Sequence, residues 1–366
     1  MTTPAQAAPQ PITGSYAADD CLFLLTPLAA RFVSIAEKER LIQRGGRHYS
    51  EMISREGAPD GRYLELFRAL TGRYRERLAR EVVALAGHLA EARPAPLAIV
   101  SLARAGTPFG ALLRRALTQR FAVPAAHFSI SIIRDRGIDE AALRYLLRTR
   151  GYAPASLVFV DAWTAKGVIT GELKAAIAAW NARGEEQLDP RLYVIADVGG
   201  SADAAATYDD YAIPSGILNA TVSGLVSRTI LNDEIGPGQF HGCVLYDDLA
   251  AFDQTNWFLD QVTAAMREAP CQPLPPSERA ARAAMTADCV RRWQRDLGIV
   301  DINHIKPGVA EATRVMLRRV PERLMLRDPA HPDVAHLRLL AERKDIPVAV
   351  DPRMPFNAVA FIKTCQ

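Results

Sequence analysis

This chain of 366 residues predicts an α/β fold. The expected architecture is a mostly parallel sheet with an N-terminal helical extension and a small C-terminal α/β domain. Three observations carry the prediction. Between Leu97 and Leu249, short β-type apolar runs alternate with stretches of helical period, the pattern of crossover units on a parallel sheet. Upstream, residues 14–90 are dominated by helical period. Downstream, a Pro-rich stretch at 269–277 separates the sheet-forming part from a compact basic piece.

The elements follow in order. Residues 1–13, rich in Ala, Pro and Gln, lack the basic start and apolar centre of a signal peptide and are expected to be a disordered tail. Helical periodicity covers Ile35–Arg44 and Tyr63–Ala90, the latter with an apolar face and Arg and Glu outside. After the break at Ala95–Pro96 come a strand at Leu97–Ser101, a helix at Ala111–Thr118, a strand at Phe128–Ile133 and a helix at Glu140–Thr149. A strand at Leu157–Asp161, a helix at Gly171–Arg183 and a strand at Leu192–Asp197 complete the run. Domain boundaries are expected at 14–268 and 278–366. The four prolines of 269–277 favour an extended spacer. Beyond it, helix Glu278–Leu297 leads to the helix that follows Pro307–Gly308. Strand Arg323–Arg327, helix Val334–Lys344 and strand Pro347–Val350 close the chain.

Composition narrows the function classes. Apolar residues make up 49%, enough for two cores, and the net charge of +3 points to neither nucleic acid nor membrane. The five cysteines, Cys21, Cys243, Cys271, Cys289 and Cys365, are odd in number and scattered, without metal-ligand spacing or a disulfide framework. That usage fits a reducing cytoplasm. No apolar run is long enough to span a bilayer.

Three strand-to-helix junctions carry chemistry. In Ser156–Val168 an apolar run ends on Asp161 and passes through Thr164, Lys166 and Gly167 into a helix. Backbone N–H groups and the helix dipole at such a junction hold a phosphate, and the acid holds ribose hydroxyls. In Ile99–Gly110 a strand meets Arg104, Ala105 and Gly106, where the glycine lets backbone approach an anion. In Phe128–Asp139 alternating β residues run into a charged turn with Arg134 and Arg136. Ligands on parallel sheets sit at the carboxyl ends of strands, so Arg104, Arg134 and Asp161 are expected to converge on one crevice. These segments resemble, in order, the phosphoribosyl-diphosphate (PRPP) loop, the pyrophosphate loop and the strand before the mobile flap of type I phosphoribosyltransferases. Ala162 stands where the second acid of the family is usual, and Lys166 where a phosphate-binding Thr is usual. A lysine binds phosphate as a point charge.

The resemblance implies PRPP or a nucleotide as ligand. Asp161 would hold the ribose or a Mg²⁺ ion that comes with PRPP. Thr164, Lys166 and Gly167 would hold the 5′-phosphate, and Arg104, Ala105 and Gly106 the diphosphate. Arg134 and Arg136 would close over the site during displacement of diphosphate from ribose C1. Ile213–Leu218, with its small residues, is the candidate wall for the acceptor.

The C-terminal run Ile305–Arg319 resembles the signature of the Pelota-type RNA-binding domain in Gly308, Glu311, Thr313 and Arg314, with Asp328–Pro329 as the later turn. Ala310 replaces the signature Asn. Lys306, Arg314, Arg318 and Arg319 beside a helix start are suited to neutralising RNA phosphates. The resemblance implies a structured RNA as partner.

Longer strings join the two halves: Gly14–Tyr16, Phe23–Leu25, Glu37–Gln43, His48–Met52, Ser129–Asp139, Ile213–Leu218 and Phe240–Val244. With them the chain resembles the phosphoribosyltransferase-like family of tellurite-resistance and stress operons, which is also labelled the StiP cysteine protease family. That label implies a rival chemistry, a Cys243 nucleophile with His241 or His48 as base. A third reading is a non-catalytic PRPP or nucleotide sensor. Other stress-operon proteins and further copies of the chain are the remaining expected partners.

Overall fold

The structure, a computed structural model, describes residues 10–184 and 186–364. It is organised around a six-stranded, all-parallel sheet whose strands lie in the spatial order Leu22–Phe23, Ala125–Ile130, Leu97–Leu102, Leu157–Thr164, Leu192–Asp197 and Ala204–Thr207. Near the N-terminus, β1 (Leu22–Phe23) joins this sheet, and β2 (Thr26–Pro27) forms a small separate pair with a later strand. Helices α1 (Ile35–Gln43) and α2 (Gly61–Ala92) follow as the expected helical extension. Asp60 caps α2 by accepting the Tyr63 N–H at 3.1 Å. Then come β3 (Leu97–Leu102), α3 (Thr107–Arg120), β4 (Ala125–Ile130), the hairpin of β5 (Ile132–Ile133) and β6 (Gly137–Ile138), and α4 (Glu140–Arg144). The main sheet is completed by β7 (Leu157–Thr164), α5 (Val168–Ala182), β8 (Leu192–Asp197) and β9 (Ala204–Thr207).

The central strands β3, β7 and β8 are buried along their whole length, as sheets covered on both faces require. Their side chains alternate between two cores. Val158, Val160 and Ala162 face the layer of α2, α3 and α6 (Thr255–Met266). Leu157 and Phe159 face the layer of α4 and α5, where Leu143, Leu173, Ile177 and Trp180 pack. Strand β10 (Gly242–Cys243) pairs with β2.

The C-terminal part opens with α7 (Arg279–Leu297) and carries a four-stranded sheet. Its elements are β11 (Ile305–Pro307), α8 (Val309–Arg318), β12 (Pro321–Leu326), α9 (Ala335–Arg343), β13 (Val348–Val350) and β14 (Ala358–Ile362), with sheet order β11-β14-β12-β13. Trp293 of α7 packs on Phe356 and Phe361, with ring centroids 6.1 and 6.0 Å away.

Several expectations need correction. Ile12 pairs with Phe23, so residues 10–13 are not a disordered tail; the rest of that stretch, 1–9, lies outside the described residues. Strand β7 runs three residues past Asp161, because Ala162, Trp163 and Thr164 continue the buried pattern and pair with β8. Ile132–Ile133 leave the sheet for the hairpin, and Ile305–Pro307, ahead of the expected helix, form a strand. Helix α6 and strands β1, β9 and β14 were not foreseen. The first three are short or sit beyond the clear alternation, and the β14 stretch Asn357–Ile362 carries no turn signal of its own.

Candidate functional site

The carboxyl ends of β7 and β8 face the C-terminal part, Trp163 meeting Glu311 and Val198 lying beside Gly308. Between the two lies a cleft of about 540 Å³, lined by Asp161, Trp163, Thr164, Lys166 and Gly167 from the β7–α5 junction. Tyr49 and Arg134 close one side, and Lys306, Glu311, Arg314 and Arg319 come from the C-terminal part. Asp161, Thr164, Lys166 and Gly167, expected to hold a sugar phosphate, and Lys306, Glu311, Arg314 and Arg319, expected to hold RNA, therefore share one cleft.

Gly167 shapes the junction. It sits at φ +76° as the N-cap of α5, and a Cβ there would meet the Ser201 Cβ at 2.7 Å. Without a side chain to cap it, the first turn of α5 offers its N–H groups to the cleft, which Val168, Ile169 and Thr170 line. Thr164 ends β7, and its hydroxyl is 2.6 Å from the Ser201 hydroxyl, so it braces the loop. Ser201 is held in turn by Asp197, which accepts its N–H at 2.9 Å.

Asp161 is 9% exposed and accepts the Ala162 N–H at 2.8 Å. Burial pushes its pKa up to about 7, against a weaker pull from Arg314. Lys166 is moved the other way, down to about 7, by burial and by the neighbouring Lys306. Its ammonium donates to the Ile302 carbonyl of the C-terminal part. Both groups therefore change charge near neutrality, a property of functional clefts. Glu311 is different. Burial opposes its ionisation, but Arg314 and Lys306 hold it down at about 2. It accepts from the Trp163 indole N–H at 3.2 Å and from Arg314 at 2.8 Å, and the Arg314 guanidinium lies 4.7 Å from the Trp163 ring centre.

The flap residues separate. Glu172 of α5 holds the β5–β6 turn by accepting the N–H groups of Asp135 and Gly137, both at 2.8 Å. Arg134 lies over the Tyr49 ring and lines the cleft. Arg136 does not. It pairs with Glu51, donates to the Leu231 carbonyl and lines a neighbouring pocket; between the two arginines the chain turns at Asp135, at φ +66°.

The Arg104–Gly106 loop lies under the site without facing it. Gly106 packs so closely on β7 that a Cβ would meet the Val160 carbonyl oxygen at 2.9 Å and the Asp161 Cα at 3.1 Å. Neither Arg104, Ala105 nor Gly106 lines the cleft. Arg104 is 4% exposed, with its guanidinium bound to Glu56 at 2.5 Å and to the Val226 carbonyl at 2.6 Å. Those partners occupy the donors expected to hold diphosphate.

The RNA signature is also partly buried. The Thr313 hydroxyl bonds the Val309 carbonyl and the His336 ring, both at 2.7 Å. Arg318 Nε donates to Asn219 Oδ1 at 2.5 Å, and Arg319 pairs with Glu39. Gly308, at φ +92°, packs on Asp210, which accepts the Val309 and Asn357 N–H groups at 2.8 and 2.7 Å. Trp163, Tyr49 and Asp210 were not singled out as site residues from the sequence, since an aromatic or acid beside a strand gives no signal of which neighbour it will meet.

Cys243 is fully buried, and burial pushes its thiol up to about 12. Among the described residues its sulfur has no hydrogen-bond partner. His241 bonds the Ser131 hydroxyl at 2.8 Å, and His48 bonds Ser50 at 2.8 Å. Neither ring serves Cys243 as a base. Cys21 is likewise buried with a raised pKa.

A metal held by protein alone does not fit this cleft. Among the described residues no three His, Cys, Asp or Glu side chains group as ligands. No helix among the described residues is long and apolar enough to cross a membrane.

Comparison with known proteins places both halves. Residues 14–263 match the family described as tellurite-like stress resistance cysteine protease StiP. Residues 284–364 match the Pelota RNA binding domain. A curated relative from Acinetobacter baylyi (strain ATCC 33305 / BD413 / ADP1), named cysteine protease StiP, is 39% identical over 368 residues, covering 97% of this chain and 95% of its own length. Among solved structures, a hypoxanthine phosphoribosyltransferase of Trypanosoma cruzi is 21% identical over 36% of this chain and 77% of its own, with a TM-score of 0.27. The same enzyme in complex with the product IMP is 19% identical over 48% of this chain and 90% of its own, with a TM-score of 0.29. At that level of overlap the likeness says nothing about activity.

Proposed function

The chain belongs to the StiP family of stress-resistance proteins, and from that premise we propose that its working site is the Asp161 cleft, which binds PRPP or a nucleotide. One observation carries this reading. A buried carboxylate, a lysine and an uncapped helix N-terminus built on a left-handed glycine meet at the carboxyl end of a central parallel strand, in a cleft of about 540 Å³. That combination suits a ribose 5-phosphate unit.

In this reading Asp161 accepts from ribose hydroxyls. Lys166 and the N–H groups at the start of α5 hold the 5′-phosphate. Arg134 and Lys306 supply positive charge from opposite sides; Arg134 also pairs with the exposed Asp135, and the other cleft cations Arg314 and Arg319 with Glu311 and Glu39. A Mg²⁺ ion carried in on the diphosphate would neutralise the leaving group. The reaction proposed is phosphoribosyl transfer: the bond from ribose C1 to diphosphate breaks, diphosphate leaves with the electron pair, and an acceptor atom bonds to C1. Positioning and charge do most of the work in such a displacement. The lack of a second acid at Ala162 favours a variant of the reading in which the cleft binds its ligand as a sensor without turning it over.

Cysteine peptidase chemistry is the second reading, favoured by the name of the family and of the Acinetobacter relative. Cys243 as found is set against it, because a thiol at about 12 with no base beside it is not a ready nucleophile. Thiol labelling and peptide cleavage, measured on the native chain and on Cys243→Ser, separate the two. The cleft reading expects slow labelling of Cys243 and unchanged PRPP binding in the variant. Fast labelling with cleavage abolished in Cys243→Ser decides for the peptidase.

A further inference from the structure

Beside the Asp161 cleft lies a second chamber, of about 410 Å³, within the range of small-molecule sites. Ile42, Tyr49 and Arg319 line both, so the two adjoin. Apolar walls come from Ile53, Leu218, Leu249, Leu317 and Leu340. Leu218 ends the Ile213–Leu218 string.

The charge in this chamber is unbalanced. Arg55, Arg319 and Arg343 are each paired with a carboxylate, on Asp248, Glu39 and Asp60. Lys38, Arg228 and Arg318 are not. Arg228 donates to the carbonyls of Tyr49 and Met52, and Arg318 to the Asn219 amide oxygen. Lys38 lines the chamber and is 6% exposed, yet among the described residues its ammonium has no hydrogen-bond or ion-pair partner. Of the wall carboxylates, Glu56 is already committed to Arg104 at 2.5 Å and to the Ala220 N–H at 3.0 Å, and Asp60 to Arg343; Glu39, which also acts on Lys38, is paired with Arg319. An ammonium largely withdrawn from water without an ion-pair partner destabilises the protein that carries it. Helix α1 nevertheless holds Lys38 there, between walls that a flat apolar ring would cover.

We propose that this chamber binds a planar aromatic or heteroaromatic carboxylate, its carboxylate on Lys38 within the field of Arg228 and Arg318, and its ring against Leu218, Leu249 and Leu317. Such a ligand satisfies both the cations and the apolar walls, and a ring loses little conformational freedom on binding. Inorganic phosphate would leave the apolar walls uncovered. The occupant's role as acceptor beside the sugar phosphate rests on the reading of the Asp161 cleft; its binding does not.

Calorimetry on the full chain, with pyridine-3-carboxylate and pyrimidine-4-carboxylate each set against its carboxamide, tests the proposal. The carboxylates should bind at least tenfold tighter than the carboxamides, and Lys38→Met should lose at least tenfold in carboxylate affinity. The groups facing Lys38 are Arg228, Arg318, Arg319 and Glu39, and burial, then Arg228, bring its pKa to about 7. Carboxylate affinity should therefore fall as pH rises above 7 and the ammonium is lost. A merely structural lysine would make Lys38→Met less stable. Here the variant should melt higher than the native chain at pH 6, where the folded protein carries the unpaired charge. Carboxamides binding as well as carboxylates, unchanged affinity in Lys38→Met, or no carboxylate binding at millimolar concentration overturns the proposal. Asp161→Ala should leave carboxylate binding intact. If PRPP fails to bind the native chain while the carboxylates bind, the cleft reading falls and this site stands.

Discussion

Asp161 concentrates the chemistry of the cleft in one side chain. It ends an apolar run, and an acid placed there was visible in the sequence as a ligand-binding candidate. Its raised pKa was not visible, because desolvation depends on the lid that the C-terminal part supplies. The stability consequence has a definite sign. Its folded pKa, about 7, lies above the ordinary aspartate value, so the folded state holds a proton that the unfolded state has released between pH 4 and 7. Stability is therefore lost as pH rises through that window. Asp161→Asn should be nearly neutral at pH 4 and stabilising at pH 8, by an amount on the order of 4 kcal/mol at most, each pH unit of displacement being worth about 1.4 kcal/mol. Thermal melts at the two pH values check this. Lys166→Ala should weaken ribose 5-phosphate binding about tenfold or more, as loss of a charge-assisted contact does, while leaving free nucleosides unaffected. Equal losses for both ligands would show that Lys166 does not touch phosphate. Cys243 was legible as a cysteine beside a histidine, but strand pairing with β2 buries the thiol and turns His241 to Ser131.

The β7–α5 junction is the element that the sequence exposed best. A β-type run, an acid and a Lys-Gly loop before a helix leave few folds open. The limits of the strand were missed because Trp163 and Thr164 read as loop residues until Ala196 and Asp197 pair with them. Gly167 should be the least replaceable residue of the junction. Gly167→Ala forces an alanine into the left-handed region, at about 1–2 kcal/mol, and drives its Cβ toward Ser201. Loss of phosphate binding in a variant that still folds, followed by calorimetry and circular dichroism, is the expected result. The Arg104 loop shows where the sequence misled. Its residue types suit a diphosphate cradle, but Glu56, almost fifty residues upstream, takes the guanidinium. Pairing at that distance along the chain leaves no local trace.

At the scale of the whole molecule, the two halves were legible as separate patterns, and their arrangement was not. The Pro-rich stretch suggested a spacer, but the C-terminal part shares one continuous hydrophobic core with the sheet face of α2 and α3. Asp210 pins the two together through the Val309 and Asn357 N–H groups. Asp210→Ala should cost about 1–3 kcal/mol by leaving those donors unpaired, read as a lower melting temperature. In the full chain, replacing both Lys306 and Arg314 with Ala should weaken any binding of structured RNA, since both cations line the open cleft. Fluorescence anisotropy should show the native affinity falling steeply with salt; equal binding by native chain and double variant would place the RNA surface elsewhere. If the cleft between the halves holds a phosphoribosyl group, calorimetry of the full chain with PRPP and Mg²⁺ should give measurable heat with the native protein and lose it in Asp161→Ala. No detectable binding at millimolar PRPP, or binding unchanged in Asp161→Ala, would show that the cleft does not hold it.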